Sequence, residues 1–318
     1  MSDINAPVAG VDVGGTNIQV GLVGDDHQVH ERAKRPTPTE GPDAVLDTIA
    51  AMVEDVGGDP VAVGVGIPGV VHAGQVLTVP NLSGWGDDVD LVGGLAERLD
   101  PPVTLGNDAN VGLLGEWVAG VAHGHRDVLG LWIGTGIGGG LILDGRPYEG
   151  SRGSAGEVGH VLVLPGGALC GCGRRGCVEA YAGRRSMAGV AASLQDSGRE
   201  TELFEIMADE DKPRPTSKVW ARALEEGDPV ATELLDTAVE HLGVAVGSAV
   251  NLLDVDLVVL GGGLPEKLGQ DLADRVEAAA RPRMLRPSPE LAFVVSSLGD
   301  DAGVVGAAAL ARASVIAG

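Results

Sequence analysis

The sequence predicts an α/β protein. Three observations carry that reading. Strand-like apolar runs alternate with segments of helical spacing along most of the chain. The same strand, glycine turn and strand pattern occurs twice, at 8–23 and at 128–143. Apolar residues make up 44% of the 318 positions, enough for real cores, yet no stretch reaches the unbroken apolar length of a membrane span.

Residues 8–13, Val-Ala-Gly-Val-Asp-Val, read as a buried strand. Gly14-Gly15-Thr16 follows, and residues 17–23 alternate as a second strand, so the pair is a predicted hairpin. Val45, Leu46, Ile49 and Val53 recur at helical spacing and predict a helix over 42–56. A strand at 61–67 ends in Pro68-Gly69. A short strand at 103–105 runs into Asn107-Asp108, and a helix covers 109–121. The pattern then restarts with a strand at 128–133, a Gly/Thr-rich loop at 134–140, a strand at 141–143 and a tight turn at Asp144-Gly145. That recurrence suggests duplicated halves. Residues 184–250 are largely helical, with a charged, proline-containing interruption at 208–217. A strand at 256–260 meets Gly261-Gly262-Gly263. A helix at 266–280, a strand at 291–296 and a helix at 302–316 complete the chain.

The formal net charge is -23, and lysine occurs only at positions 34, 212, 218 and 267. An acidic, lysine-poor surface suits a salt-rich cytoplasm, where screening over a few ångströms removes self-repulsion, and it predicts a halophilic setting. The same charge argues against nucleic acid as a partner, because phosphate backbones need a basic face. Met1-Ser-Asp-Ile-Asn5 has no basic segment followed by an apolar run, so no secretory signal is read. With no membrane span and its thiols clustered, the protein is expected to be cytoplasmic.

Cys170, Cys172 and Cys177 are the only cysteines, and they fall within eight positions; His160 lies ten residues upstream. A disulfide would leave one thiol over, and Cys-x-Cys is poor geometry for a bridge. A Cys3His set with intervening glycines suits tetrahedral zinc, and four protein ligands make a closed, structural site. Glu157 and Glu179 bracket this loop and, with His160, offer groups that grip hydroxyls.

There is no Gly-x4-Gly-Lys-Ser/Thr, so a P-loop is excluded. Gly134, Gly136 and Gly139 match Gly-x-Gly-x-x-Gly, but a strand and a turn follow where a dinucleotide fold needs a helix. What remains is physical: glycine and threonine at a hairpin tip expose backbone N–H groups to an anion. Gly14, Gly15 and Thr16 form one such tip and Gly134, Thr135 and Gly136 a second. Gly261, Gly262 and Gly263 offer a third close-approach loop. Asp12 beside the first tip can hold Mg2+ through water against nucleotide phosphates. Asp108, at a strand end before a helix, is either part of a helix cap or the carboxylate that takes a hydroxyl proton during phosphoryl transfer; the two roles are compatible.

These motifs resemble those of the ROK family of sugar kinases, within the actin-like ATPase superfamily. The similarity runs in order through Asp12-Val-Gly-Gly-Thr16, Asn107-Asp-Ala-Asn110 with Gly115-Glu116, Gly134-Thr-Gly-Ile-Gly-Gly-Gly140, Gly156-Glu-Val-Gly-His160, Cys170–Glu179 and Gly261–Gly263. The His/Cys3 signature is the specific part. The resemblance implies a two-lobed actin-like (ribonuclease H-like) fold with a ligand cleft between lobes. The lobes are expected at 1–120 plus 302–318, small, and at 121–301, large and carrying the zinc loop. It implies ATP-dependent phosphorylation of glucose at the 6-hydroxyl, with Asp108 as general base and Asn81, Asn107, Asp108, Glu157, His160 and Glu179 around the sugar. ATP and Mg2+ are the implied cofactors beside structural Zn2+, and a homodimer or higher homo-oligomer is implied. An N-acetylmannosamine or N-acetylglucosamine kinase, or a fructokinase, is the alternative, and a non-catalytic sugar-sensing protein is the second. Gly106 departs from the glutamate that many members place before Asn-Asp, and the charged segment around 196–217 is hard to align and is assigned no role.

Overall fold

A computed structural model describes residues 6–72, 74–78, 85 and 89–317. In chain order its elements begin with β1 (Val8–Val13), β2 (Asn17–Val23), β3 (Val29–Pro36), α1 (Pro42–Val56), β4 (Val63–Ile67), β5 (Val70–His72) and β6 (Gln75–Thr78). There follow α2 (Leu91–Ala96), β7 (Val103–Asn107), α3 (Asp108–Ala119), β8 (Val128–Ile133), β9 (Ile137–Leu143) and β10 (Arg146–Pro147). Then come α4 (Glu179–Ala182), α5 (Arg184–Asp196), α6 (Leu203–Asp209), α7 (Ser217–Glu225) and α8 (Pro229–Leu253). The chain closes with β11 (Leu257–Gly261), α9 (Gly263–Leu268), α10 (Gln270–Ala280), β12 (Ala292–Val295) and α11 (Asp301–Ala317).

Two five-stranded sheets share one topology, β3-β2-β1-β4-β7 and β10-β9-β8-β11-β12. In the first, β1 pairs antiparallel with β2 and parallel with β4, and β4 pairs parallel with β7. In the second, β11 lies parallel to both β8 and β12. Each sheet thus joins a hairpin to parallel strands, which is the duplication visible in the sequence. The chain groups into two compact units, Met1–His125 with Gly140–Gly156 and Ser297–Gly318, and Arg126–Gly139 with Glu157–Ser296.

In the first unit, α1 starts at Pro42 and stops at Gly57, whose φ of 62° suits glycine. Its buried stripe of Val45, Leu46, Ile49, Met52, Val53 and Val56 packs with β1, β2 and β4 residues in one core. The helix α11 lies against the same sheet at backbone distance. A Cβ on Gly10 or Gly64 would run into the carbonyl oxygens of Val304 and Ala307, and one on Gly306 into that of Val111 in α3. Glycine in these strands is therefore a packing requirement rather than a weakness. Glu116 of α3, fully buried, accepts hydrogen bonds from Leu298 N at 2.8 Å, Val121 N at 2.9 Å and Ser297 Oγ at 3.1 Å. In the second unit the 25-residue α8 begins at the Asp228 cap, where Asp228 Oδ1 accepts from Ala231 N, and ends at Asp254 in the left-handed region.

Several boundaries move from their sequence-based positions. β9 starts at Ile137, so the loop predicted over 134–140 shrinks to its tip. Gly269, at φ 67°, splits the helix expected over 266–280 into α9 and α10. β3 is a strand the pattern hid.

Candidate active site

In the first unit Asp12 lies near the end of β1, the Gly14–Thr16 tip follows it, and Asp108 follows β7, with β4 between those two strands. Gly14 N donates to Asn17 O at 2.9 Å, closing the hairpin, and Thr37 Oγ1 donates to Gly14 O at 2.6 Å. Gly15 and Thr16 are exposed at the tip. Asp12, largely buried, lies against the first turn of α11, where a Cβ on Gly303 would come within 2.7 Å of its carboxyl carbon. Burial, then the charges of Asp108 and Asp300, push its carboxyl up to about 7 against the opposing pull of Lys34.

Asp108 is the first residue of α3, with Asn107 as the cap. Asn107 Oδ1 accepts from Ala109 N at 3.0 Å and Asn110 N at 3.1 Å. Its amide nitrogen donates to Gly69 O at 2.9 Å and to Asp108 Oδ1 at 3.1 Å, and Ala109 N also donates to Asp108 Oδ1 at 2.9 Å. The cap thus fixes the orientation of the Asp108 carboxylate. Asn81 lies outside the described residues.

The second unit carries the other tip. Gly134 N donates to Gly136 O at 2.9 Å. Ile137 N donates to Glu179 Oε2 at 2.9 Å, and a Cβ on Gly136 would collide with that same oxygen. Gly261, Gly262 and Gly263 pack against Trp132, Ile133 and Ser217; Gly262 has φ 84°.

The Cys/His cluster forms as a set. His160, Cys170, Cys172 and Cys177 bring their ligand atoms within 4.8 Å of one another. Cys172 Sγ to Cys177 Sγ is 3.7 Å and Cys170 Sγ to His160 Nδ1 is 3.8 Å. Tetrahedral zinc, with bonds of about 2.0–2.3 Å, separates its ligands by about 3.5–3.8 Å, so the residues fit that ion. Gly173 and Gly176, at φ 83° and 90°, give the loop its curl. Burial pushes the Cys170 thiol up to about 12 and raises Cys177. For Cys172 burial acts the same way, but the Arg174 backbone and side chain outweigh it and bring the thiol down to about 6. A divalent cation is what would hold all three as thiolates.

Glu179 sits between the two features: Oε2 takes the Ile137 amide, and Cys170 Sγ lies 3.6 Å from Oε1. Glu157 is exposed, one residue before the short 3-10 turn that ends at His160. Sequence reasoning missed Tyr181, whose ring stacks on His241 at 3.9 Å while its hydroxyl accepts from Ala168 N at 2.8 Å, supporting the cysteine loop. No motif marks it; only its place two residues after Glu179 hints at it.

Four similarities agree with this geometry. The sequence model of the ROK family matches residues 8–314. A glucokinase from Streptomyces coelicolor is 34% identical over 310 residues, covering 95% of this chain and 96% of its own. An N-acetyl-D-glucosamine kinase from Escherichia fergusonii is 34% identical over 322 residues, covering 95% and 98%. The crystal structure of a ROK family glucokinase from Streptomyces griseus, in complex with glucose and AMPPNP, superposes with a TM-score of 0.84 at 32% identity, covering 96% of this chain and 99% of that one. The architecture is that of the two-lobed actin-like ATPase fold. Likeness over nearly the whole length, in sequence and in backbone alike, means that the chain belongs to the ROK family.

Proposed function

We propose that this protein is a sugar kinase that phosphorylates glucose at its 6-hydroxyl with ATP, and that Asp108 is the general base. One observation carries the role of Asp108: its Oδ1 is held by the Asn107 amide and the Ala109 N–H, at a strand end beside Asp12. In the step, the sugar oxygen bonds to the terminal phosphorus, the bond from phosphorus to the ADP oxygen breaks, and Asp108 accepts the hydroxyl proton. At the first tip Gly15 and Thr16 are the groups that would offer backbone N–H to a phosphate, since Gly14 N is taken by Asn17 O; at the second tip these would be Thr135 and Gly136, since Gly134 N is taken by Gly136 O. Asp12 would hold Mg2+ through water, and that ion supplies neutralisation of the phosphate charge. His160, Cys170, Cys172 and Cys177 would hold a structural zinc that orients His160 and, through the loop, Glu179. Glu157, His160, Glu179 and Asn107 are the proposed hydroxyl-binding groups.

The glucokinases of Streptomyces coelicolor and Streptomyces griseus support glucose. The equally similar N-acetyl-D-glucosamine kinase supports a second reading, an N-acetylated hexose in the same site. The test is a panel of glucose, mannose, fructose, N-acetylglucosamine and N-acetylmannosamine with ATP and Mg2+, in low and in molar KCl. Glucose turnover abolished by Asp108→Asn, with sugar binding retained, is the expected result. Preference for an N-acetylated sugar moves the substrate, and near-wild-type turnover in Asp108→Asn overturns the base.

A further inference from the structure

The loop between His160 and Glu179 carries the cysteines but has little core of its own. Leu162, Leu164 and Leu169 are exposed, and short backbone pairs hold the loop, among them Val163 N to Gly176 O and Cys170 N to Arg174 O, each at 2.8 Å. Its buried part is small: Cys170 and Cys177 cluster with Ala180 of α4, and Tyr181 packs against them. A segment with so few buried contacts opens locally at low cost unless something outside it holds it.

Tyr181 supplies that hold through both parts of its side chain. Its hydroxyl accepts from Ala168 N at 2.8 Å. A Cβ on Gly167 would stand 2.0 Å from that hydroxyl, so the bond depends on glycine at 167. The ring stacks on His241 of α8, with centroids 3.9 Å apart and planes 3° from parallel. His241 is itself fixed one turn back along the helix. Its Nδ1 lies 2.8 Å from Thr237 O, and a carbonyl oxygen only accepts, so Nδ1 is the donor. Both rings are half-buried. A chain of contacts therefore runs from the 25-residue α8, through His241 and Tyr181, to the Ala168 amide. Tyr181 stands on α4 two residues after Glu179, whose Oε2 takes the Ile137 amide and whose Oε1 lies 3.6 Å from Cys170 Sγ. Whatever orients α4 orients Glu179 with it.

We infer that Tyr181 and His241 are a positioning pair, which anchors α4 and the cysteine loop on α8 and thereby sets His160 and Glu179 for the sugar hydroxyls. The sugar part rests on the reading of His160 and Glu179 as hydroxyl-binding groups. The pair acts through those residues, so it bears on sugar affinity rather than on the transfer step. Loosening it lowers the population of the binding-competent loop, which raises the KM for sugar and leaves kcat alone.

The test pairs steady-state kinetics with backbone hydrogen exchange on the full chain, as wild type, Tyr181→Phe, His241→Ala and His241→Phe. Tyr181→Phe keeps the ring and loses the acceptor for Ala168 N. His241→Ala loses the stack, and His241→Phe keeps a ring in its place. Tyr181→Phe and His241→Ala should each raise the KM for sugar about three- to tenfold, with kcat and the KM for ATP within about twofold of wild type. His241→Phe should return the sugar KM toward the wild-type value. Exchange read by mass spectrometry should quicken over 161–177 in the first two variants and stay unchanged in α3 and α11. A wild-type sugar KM in both Tyr181→Phe and His241→Ala overturns the pair, and so does a His241→Phe variant no better than His241→Ala. If wild type phosphorylates no sugar, the kinase reading falls, and the exchange still decides the pair: quickening confined to 161–177 upholds it, and no quickening there overturns it.

Discussion

Gly306→Ala in α11 sets two effects against each other. Helix propensity alone favours alanine over glycine by about 1 kcal/mol. The structure opposes it: a Cβ on Gly306 would fall on the Val111 carbonyl oxygen and stand 2.7 Å from both Val111 C and Gly115 N, where real Cβ atoms keep beyond 3.0 Å. The obstacles are backbone atoms of α3, so no rotamer change relieves the clash; α3 and α11 must part. Overpacking costs about 1–3 kcal/mol when side chains can give way, and a rigid backbone contact belongs at or above the top of that range. Parting also loosens Val304, Ala307 and Ala308, all buried against β1 and β4. Taking about 4 kcal/mol for the clash and subtracting the propensity gain leaves a net loss of about 3 kcal/mol, roughly a hundredfold in the folding equilibrium. Gly189→Ala is the control: it lies in α5 with nothing within 4 Å of its built Cβ, so it should gain about 0.5–1 kcal/mol. Urea unfolding followed by circular dichroism reads both. A Gly306→Ala variant as stable as wild type, beside a stabilised Gly189→Ala, would refute the packing argument.

Glu116→Ala should cost about 2–3 kcal/mol, because it leaves the part-buried Val121 and Leu298 amides without this acceptor, at about 1–3 kcal/mol each if fully buried and less here; urea midpoints check it, and Glu116→Gln should lose less. Cys172→Ser should lower zinc content, read by atomic emission, together with melting temperature; a variant free of zinc yet as stable as wild type would sink the structural role. Asp12 carries a pH signature. Its carboxyl is raised from 3.8 to about 7, so the folded state binds this proton more tightly than the unfolded chain. Its contribution is fully present below about 3.8 and is lost as pH rises through about 7. Asp12→Asn should therefore melt at an increasingly higher temperature than metal-free wild type between those limits, and Mg2+ should close the gap only by raising the wild type. A gap that does not change with pH overturns the assignment.

What could be read in advance follows the range of the interactions. The two hairpins and the Cys/His cluster are legible because each is local: alternation broken by a glycine turn, and thiols within eight positions. β3 is not, because an edge strand pairs on one side only and its Glu31, Arg32 and Lys34 face solvent, which erases the apolar pattern. Gly138, Gly139 and Gly140 read as loop, yet they sit within β9. There the lack of a side chain serves packing: a Cβ on Gly140 would lie 3.2 Å from Ala109 O. Glu116 and Arg184 depend on partners far along the chain, Leu298 for the first and Pro215 for the second. Nothing in a local window distinguishes such residues from a solvated glutamate or an ordinary basic turn. The chemistry-bearing groups of this protein divide along that line. The residues proposed to touch a phosphate or a metal sit in short glycine-rich motifs, because close approach demands glycine nearby. Residues that support those motifs are drawn from helices: Glu179 of α4 accepts from the Ile137 amide through its side chain, and Arg184 of α5 donates its backbone amide to Gly134 O and its Nη1 to Pro215 O. A motif search therefore finds the contacts and misses their supports, and substitutions at the supports are the ones whose effects the structure adds to the sequence.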